Sequence, residues 1–226
     1  MTDTTRPYDI VVWGATGVAG GLLADYLVDR YAPDELAVAL GGRDADRLEA
    51  VATTLTDRYE AWDELPTVVG DATAIDTLRA VARQTTVICT TVGPYTTYGT
   101  PLVEACIDVG TDYCDLTGEV NWIREIVDQY HDAAVESDTR IVHSCGFDSV
   151  PTDLGTTLVQ SHATETHGRP CDALPISPAD SDGSVSAGTP ARLRHLVQWA
   201  PPATRHPATP HHPVPLEPPA TRPTSA

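Results

Sequence analysis

The sequence contains no lysine, and its positive charge comes from 14 arginines. The absence of lysine excludes Schiff-base chemistry and the phosphate-binding lysine of a P-loop. It also excludes the Tyr-x-x-x-Lys pair on which short-chain dehydrogenases and nucleotide-sugar epimerases depend. The 32 acidic residues leave a formal net charge of −18. Such a surface repels phosphates, which argues against nucleic acids and anionic membranes as partners.

The negative charge is concentrated in one part of the chain. Residues 1–160 hold 27 acidic residues and nine arginines, whereas residues 161–226 hold five of each. Salt would screen the self-repulsion of this acidic part, so we predict a halophilic source and a cytoplasmic location. No apolar run approaches the roughly 20 residues of a membrane span, and the N-terminus lacks the layout of a signal peptide.

Cysteine is scarce, and its spacing does not suit a metal site. The sequence has five cysteines and no C-x-x-C pair. This odd count without paired spacing predicts reduced, mostly core thiols in a cytosolic protein, and no metal ligands. The cysteines are Cys89, Cys106, Cys114, Cys145 and Cys171.

Short apolar runs alternate with helical patterns along the first two thirds of the chain. This order predicts an α/β fold, a doubly wound parallel sheet of the Rossmann-like type with helices on both faces. The apolar face predicted for the first helix consists of Val18, Leu22, Tyr26 and Leu27. Strands are predicted at 8–13, 36–42, 67–71, 86–94, 112–119 and 140–151, the last two with a loop, and helices at 17–31, 44–59, 75–84, 100–110 and 121–137.

The composition changes near residue 172. Thirteen of the 19 prolines lie beyond residue 160, and Trp199 is the only aromatic residue there. Such a segment cannot bury enough apolar surface to offset its ordering entropy, so we predict a domain over 6–172 and a disordered tail over 173–226. A second interpretation is that the tail is the wrong reading frame of a GC-rich gene, entered near Asp172.

A glycine-rich loop follows the first predicted strand and precedes the first predicted helix. Glycine at its start permits a tight turn, glycine at its centre lets a pyrophosphate approach the backbone, and the last glycine lets helix and strand pack closely. The helix N-terminus adds N–H donors and a positive dipole end, so the loop predicts dinucleotide binding. A merely structural turn is the alternative. The predicted cofactor contacts are Gly14, Ala15, Thr16, Gly17, Val18 and Gly20.

The second strand carries no acidic residue at its tip to bind the ribose hydroxyl of NAD. Arg43 stands there instead and can pair with a 2′-phosphate, which favours NADP while leaving NAD open. Alternatively, Arg43 is a solvated partner of Asp44 or Asp46. Asp71, after the third strand, is placed either to reach the adenine edge or to cap a helix.

Two loops after later strands are candidates for the nicotinamide and substrate side. In this fold the stretch 90–99 passes the nicotinamide, which points to Val92, Gly93 and Pro94. Tyr95 and Tyr98 would then face the substrate, unless they are packed tyrosines of an ordinary turn.

The stretch 143–153 offers Cys145 and His143 as a nucleophile and base, but no third orienting group is identifiable. We therefore favour a buried thiol and packing in a substrate loop. Asp148 and Asp153 would form a wall of the site or cap a helix.

Four blocks together, "YDIVVWGATGVAG", "GGRDADRL", "TTVGPYTTYGTPLVEACIDVGTDYCDLTGE" and "IVHSCGFDSVPTDLG", resemble the saccharopine dehydrogenase-like oxidoreductases, in the branch of the trans-acting enoyl reductases. The resemblance spans residues 6–172. It implies a Rossmann domain with Gly14, Gly17 and Gly20 at the pyrophosphate and Val92 to Tyr95 near the nicotinamide.

The same resemblance implies a reaction, namely hydride transfer to an enoyl or imine-like double bond of a small lipid-like or amino-acid-derived substrate. No catalytic residue is predicted, because positioning and the cofactor would supply most of the rate. Members of the family carry a second domain for substrate binding and dimer contact, and here the tail replaces it. The alternative is therefore a non-catalytic dinucleotide-binding module, from a truncated or frameshifted gene, with its oligomeric state left open.

Overall fold

A computed structural model of the protein describes residues 6–176. Six strands and six helices alternate along this part of the chain. The strands are β1 (Tyr8–Trp13), β2 (Val38–Gly42), β3 (Thr67–Val69), β4 (Thr85–Thr90), β5 (Asp112–Asp115) and β6 (Ile141–Val142). The helices are α1 (Val18–Arg30), α2 (Ala45–Arg58), α3 (Ile75–Ala82), α4 (Tyr95–Val109), α5 (Val120–Glu136) and α6 (Val150–His167).

All six strands form one parallel sheet in the order β3-β2-β1-β4-β5-β6, which confirms the predicted doubly wound architecture. The chain runs outward in one direction from β1 to β3 and in the other from β4 to β6. The reversal falls between β1 and β4, where open α/β sheets bind ligands beyond the carboxyl ends of their strands.

Helices cover one face of the sheet from β1 to β5 and the other face at β1 and β2. On one face, Ile88 and Tyr113 pack with Trp122 and other residues of α3, α4 and α5. On the other face, Val12 and Leu40 pack with α1 and α2. The central strand β1 therefore contributes to both cores, and its position fixes where the loop that follows it emerges.

The predicted apolar face of α1 is mostly turned away from the core, and in this respect the prediction was wrong. Val18, Leu22 and Tyr26 are 65%, 67% and 59% exposed. The buried side consists instead of Gly20, Ala24, Leu27 and Val28. The reason is close packing, because α1 lies so near the sheet that small residues must face inward at its start.

Helix α4 begins earlier than predicted, at Tyr95 rather than near residue 100. The expectation placed Pro101 in the first turn, where its missing N–H costs nothing. In the structure Pro101 lies inside the helix. The additional first turn is stabilised from outside the helix, by a carboxylate on the loop before α5 that is described below.

The end of the described chain also differs from expectation. The sixth strand is only two residues long, and 150–167 forms helix α6, where no helix was predicted. Pro151 in its first turn and the left-handed Gly168 at its end are ordinary helix-boundary signals. The tail was predicted to be disordered or to come from a wrong reading frame. Its residues beyond Ile176 lie outside the described residues.

Within 6–176, no helix is both long and apolar enough to span a bilayer.

Candidate functional site

The loop between β1 and α1 makes the tight turn that its glycines predict. Gly14 has a φ of +94°, a region that glycine adopts readily and other residues avoid. A Cβ atom at Gly14 would also lie 2.7 Å from Val92 Cγ2 and 2.8 Å from Thr91 Oγ1. The Gly17 N–H donates to the Gly14 carbonyl oxygen at 2.9 Å and closes the turn. Both conformation and space therefore require glycine at position 14.

The N-terminus of α1 is open to a ligand. Gly17 is the N-cap residue and supplies no side-chain cap, and the first turn holds no acidic residue. Gly17 and Val18 are exposed, and a Cβ at Gly17 would approach only the Gly14 carbonyl oxygen, at 3.3 Å. The unpaired N–H groups of a first helical turn and the positive dipole end suit an anion such as a pyrophosphate.

Two arginines flank the carboxyl end of β2. Arg43 is exposed directly after the strand, and among residues 6–176 no ion pair joins it to Asp44 or Asp46. Asp44 instead caps α2, since its Oδ1 accepts from the Arg47 N–H at 3.1 Å. The Arg47 guanidinium donates to the Thr16 carbonyl oxygen at 3.2 Å. Sequence reasoning missed Arg47, although its spacing of four from Arg43 was a usable signal.

Asp71 lies beside Arg43, at the end of the neighbouring strand β3. Its Oδ1 accepts from the Thr73 N–H and the Thr73 hydroxyl, both at 2.8 Å. These bonds, and to a lesser degree the charge of Arg43, lower the pKa of the Asp71 carboxyl. The cap alternative is not realised, because Ala74 is the N-cap of α3. Contact with adenine stays a prediction.

The turn between β4 and α4 lies against the glycine loop. The Thr91 N–H donates to the Trp13 carbonyl oxygen at 2.9 Å, and the Val92 N–H donates to Thr90 Oγ1 at 3.2 Å. The Val92 side chain faces the Gly14 position, as the short Cβ distance shows. Val92 thus lies against the glycine loop, and the contact of Val92, Gly93 and Pro94 with the nicotinamide stays a prediction.

The two tyrosines of this region have different surroundings. Tyr95 is only 4% exposed, its hydroxyl donates to the Thr90 carbonyl oxygen at 3.2 Å, and its ring lies 5.5 Å from that of Trp122. Tyr95 is therefore the packed tyrosine of the alternative interpretation, directed into the core. Tyr98 is half-buried on the next turn of α4. Its contact with a substrate stays a prediction.

Glu119 is a buried carboxylate that sequence reasoning did not single out. Its Oε1 accepts from the Tyr95 N–H at 2.9 Å and its Oε2 from the Thr96 N–H at 3.0 Å. A carboxylate at a helix N-terminus satisfies open donors and complements the dipole. Glu119 therefore fixes the start of α4 and, with it, the turn from Val92 to Pro94.

Asp115, at the end of β5, is the orienting group that the sequence did not reveal for His143. Its Oδ2 lies 2.7 Å from His143 Nδ1 and accepts from the Tyr113 hydroxyl at 2.9 Å. Burial, and then the charge of Asp115, raise the pKa of Tyr113. Within the described residues, His143 Nε2 is buried without a hydrogen-bond partner.

Cys145 does not complete a nucleophile–base pair with His143. Its Sγ approaches the carbonyl oxygens of Val142 and His143, at 3.6 Å and 3.9 Å, while its N–H donates to the Asp115 carbonyl oxygen at 2.7 Å. The expectation of a buried thiol was wrong at this position, because Cys145 is exposed.

Cys145 and Asp148 line one open cleft between the end of β6 and α6. Its volume is about 690 Å³, and Asp153 lines it as well. Asp153 lies in the first turn of α6, whose N-cap Ser149 provides no side-chain hydrogen bond. The structure thus gathers these predicted substrate residues around one space, although Phe147 beside them is 89% exposed.

The chain matches the family model described as saccharopine dehydrogenase NADP binding domain over residues 10–142. A trans-acting enoyl reductase of Mycobacterium leprae is 41% identical over 192 residues, covering 84% of this chain and 45% of the relative. One from Mycobacterium tuberculosis is 39% identical over 201 residues, covering 88% of this chain and 47% of the relative. The chain therefore spans about half the length of these curated relatives.

A solved structure shows the same fold. Apo saccharopine dehydrogenase (L-Glu forming) from Saccharomyces cerevisiae superposes with a TM-score of 0.51 at 15% sequence identity. The match covers 71% of this chain and 32% of the yeast chain. At this identity the likeness concerns the arrangement of the sheet and helices alone.

Proposed function

Because the chain belongs to the family of the saccharopine dehydrogenase NADP binding domain, we propose that it acts as an NADP-dependent oxidoreductase. The reaction we propose is hydride transfer to an enoyl or imine-like double bond in a small lipid-like or amino-acid-derived substrate. The observation that carries the proposal is the meeting of three features at one sheet edge. These are the open N-terminus of α1, the arginines after β2, and the turn before α4.

The pyrophosphate would lie at the N-terminus of α1. Gly17 leaves its approach open, and we expect further contacts from its neighbours Ala15, Thr16 and Val18. Gly20 supports the site indirectly, by letting α1 pack against Gly14. A cofactor held there would lie across the carboxyl ends of β1 and β4, the usual position in doubly wound folds.

The 2′-phosphate that distinguishes NADP from NAD would be bound by Arg43 and Arg47. Arg47 is held near the glycine loop by its bond to Thr16, and Arg43 is exposed one turn before it. A guanidinium can donate two parallel hydrogen bonds to a phosphate. The nearby carboxylates are already bonded, Asp44 to the Arg47 N–H and Asp71 to Thr73. Asp71 lies on the outer side of the same region.

The nicotinamide ring would meet the turn from Val92 to Pro94. This turn is tied to β1 through Thr91 and to the loop before α5 through Glu119. NADPH supplies the hydride, and the residues of the chain hold the ring and exclude water on one side. We assign no proton donor, since Glu119, the carboxylate that contacts this turn, accepts from the Tyr95 and Thr96 N–H groups with its two oxygens.

A non-catalytic NADP-binding module is the second candidate, and one observation favours it. The cleft between the end of β6 and α6 is open, and Leu154 and Leu158 of α6 are exposed together with Phe147. An open cleft admits water, whereas hydride transfer is favoured in a closed, dry site.

The free thiols of the described residues support our proposal of a reducing, cytoplasmic location for either candidate.

Oxidation of NADPH separates the two candidates. The protein, in molar KCl, is mixed with NADPH and either an enoyl thioester or a cyclic imine, and loss of NADPH absorbance is followed. An oxidoreductase consumes NADPH only with one of the acceptors, and Gly17→Val abolishes the rate. Binding of NADPH without consumption by any acceptor would instead establish the module and contradict the proposed reaction.

A further inference from the structure

Cys89 and Cys114 form a pair of thiols on adjacent strands. They are direct register partners in the parallel β4–β5 ladder, and their sulfur atoms lie 3.0 Å apart. Their neighbours Ile88 and Tyr113 point into the core beneath α3 to α5, so the two thiols lie on the opposite face of the sheet. Both are half-buried, which leaves them within reach of a small reagent.

A third thiol lies close to this pair. Cys145 is exposed, and the bond from its N–H to the Asp115 carbonyl oxygen holds it over the end of β5, next to Cys114. Its thiol interacts electrostatically with both Cys89 and Cys114. Three of the five cysteines of the chain therefore converge at the carboxyl edge of the sheet, beside the proposed cofactor site.

The two paired thiols are chemically unequal. A hydrogen bond from the Cys114 thiol stabilises the thiolate of Cys89 and lowers its pKa. The same hydrogen bond, followed by burial, raises the pKa of Cys114. The thiolate is the nucleophilic form of cysteine, so Cys89 is the thiol that attacks an oxidant first.

We propose that Cys89 and Cys114 are a peroxide-responsive dithiol that closes to a disulfide. In the first step the Cys89 thiolate attacks a hydroperoxide; the O–O bond breaks, a sulfenic acid forms and an alkoxide or hydroxide leaves. In the second step the Cys114 thiol attacks the sulfenic sulfur, the S–S bond forms and water leaves. The peroxide is reduced by two electrons and the dithiol is oxidised by two.

Closure of this disulfide would reach the proposed cofactor site. The two sulfur atoms must approach by about 1 Å to reach the roughly 2.05 Å of an S–S bond. Cys89 is the register partner of Val12 in β1, and two residues later Thr91 bonds to β1 at Trp13. Drawing β4 toward β5 therefore loosens the contact of Thr91 and Val92 with Gly14, and oxidation weakens NADPH binding.

Mapping of the oxidised protein tests the disulfide directly. The full chain is treated with hydrogen peroxide, free thiols are blocked, and peptides are analysed by mass spectrometry without reduction. We expect a linked pair of peptides containing Cys89 and Cys114, loss of two hydrogen masses, and a fall from five titratable thiols to three. This measurement uses the unaltered protein and does not depend on any variant folding.

Variants add a matched control. Cys89→Ser and Cys114→Ser should each abolish the link, whereas Cys171→Ser, an exposed cysteine remote in sequence, should retain it. Two separately oxidised cysteines without a link, or a link from Cys89 to Cys145, would overturn the assignment.

The effect on cofactor binding rests on the proposed function and has its own readout. NADPH is titrated against reduced and oxidised protein, and we expect a several-fold weaker affinity after oxidation that reducing agent reverses. Equal affinities would overturn the coupling while leaving the disulfide in place. Absence of NADPH binding by the reduced protein would contradict the proposed function instead.

Discussion

Two neighbouring glycines at the start of α1 should respond to the same substitution with opposite signs. A Cβ at Gly20 would lie 2.2 Å from the Gly14 carbonyl oxygen and 2.8 Å from Thr91 Oγ1. A Cβ at Gly21 would meet only the Ala15 carbonyl oxygen, at an ordinary 3.5 Å. Gly20→Ala therefore forces backbone atoms apart, whereas Gly21→Ala adds a methyl group without displacing a neighbouring atom.

The magnitudes follow from these contacts. Forcing an extra carbon into a packed region costs about 1–3 kcal/mol, and at Gly20 the opposing atoms are backbone and cannot rotate away. Replacing glycine by alanine at an unstrained helical position stabilises a protein by about 0.4–1 kcal/mol. The free energies of unfolding of the two variants should thus differ by about 1.4–4 kcal/mol, the sum of these effects.

Urea unfolding in molar KCl, followed by circular dichroism, measures this difference. For a domain of this size each kcal/mol shifts the midpoint of thermal unfolding by about 2–4 °C, which gives an independent check. Gly20→Ala should fall below the unaltered protein and Gly21→Ala should equal or exceed it. Equal stabilities of the two variants would show that α1 does not pack against Gly14 as described, and would refute the explanation given for its small inward-facing residues.

Further predictions concern the cofactor, the turn and the solution conditions. Arg43→Ala and Arg47→Ala should each weaken NADPH binding about tenfold or more and leave NADH unaffected, since a charged hydrogen bond contributes about 1.5–3 kcal/mol; equal losses for both cofactors would contradict 2′-phosphate binding. Glu119→Ala should lower the free energy of unfolding by about 1–3 kcal/mol, as it removes the acceptor of two helix N–H groups, and Glu119→Gln should lose less. Burial raises the pKa values of Cys106 and Tyr113 in the folded state, so their protonated forms contribute to the free energy of unfolding fully below about pH 9. Above about pH 9 the free energy of unfolding should fall, by up to about 1.4 kcal/mol per pH unit and group. A urea midpoint that stays constant to pH 11 would oppose this. With a net charge of −18, the protein should gain stability from dilute buffer to molar KCl, and indifference to salt would argue against a halophilic source.

Local patterns carried the prediction of the sheet and of the glycine loop. Most strands contain a short apolar run, as buried parallel strands need, so their number and their places along the chain could be predicted. Strand β5, with Asp112 and Asp115 at its ends, departs from that pattern. Gly14 and Gly20 act through backbone conformation and close approach, two properties that glycine alone provides. These features depend on residues that are near one another in sequence.

The contacts that were missed join residues far apart in sequence. Glu119 binds N–H groups more than 20 residues earlier, and Asp115 meets His143 from a different strand. Neither partner is marked by a local motif. The start of α4 was misplaced for this reason, because no local motif marks Tyr95 and the carboxylate that stabilises the first turn is distant in sequence.

The inward face of α1 shows a different limit. Helical periodicity identified Val18, Leu22 and Tyr26 as one face, and this grouping is correct as geometry. It could not say which face turns inward, because the short distance between α1 and the sheet favours Gly20 and Ala24 there. Size, rather than hydrophobicity, decides the orientation at that contact.

The most direct test of the central claim is the affinity of NADPH for the protein and for Gly17→Val, measured by nicotinamide fluorescence in molar KCl. Gly17 has ordinary helix-start dihedral angles, φ −86° and ψ 167°, and a Cβ there would meet only the Gly14 carbonyl oxygen, at a tight 3.3 Å. The variant should therefore fold, with a somewhat lower unfolding midpoint. We expect NADPH to bind the unaltered protein, NADH to bind it more weakly, and neither to bind Gly17→Val. Unchanged NADPH affinity in a folded Gly17→Val protein would contradict the placement of the cofactor at the start of α1.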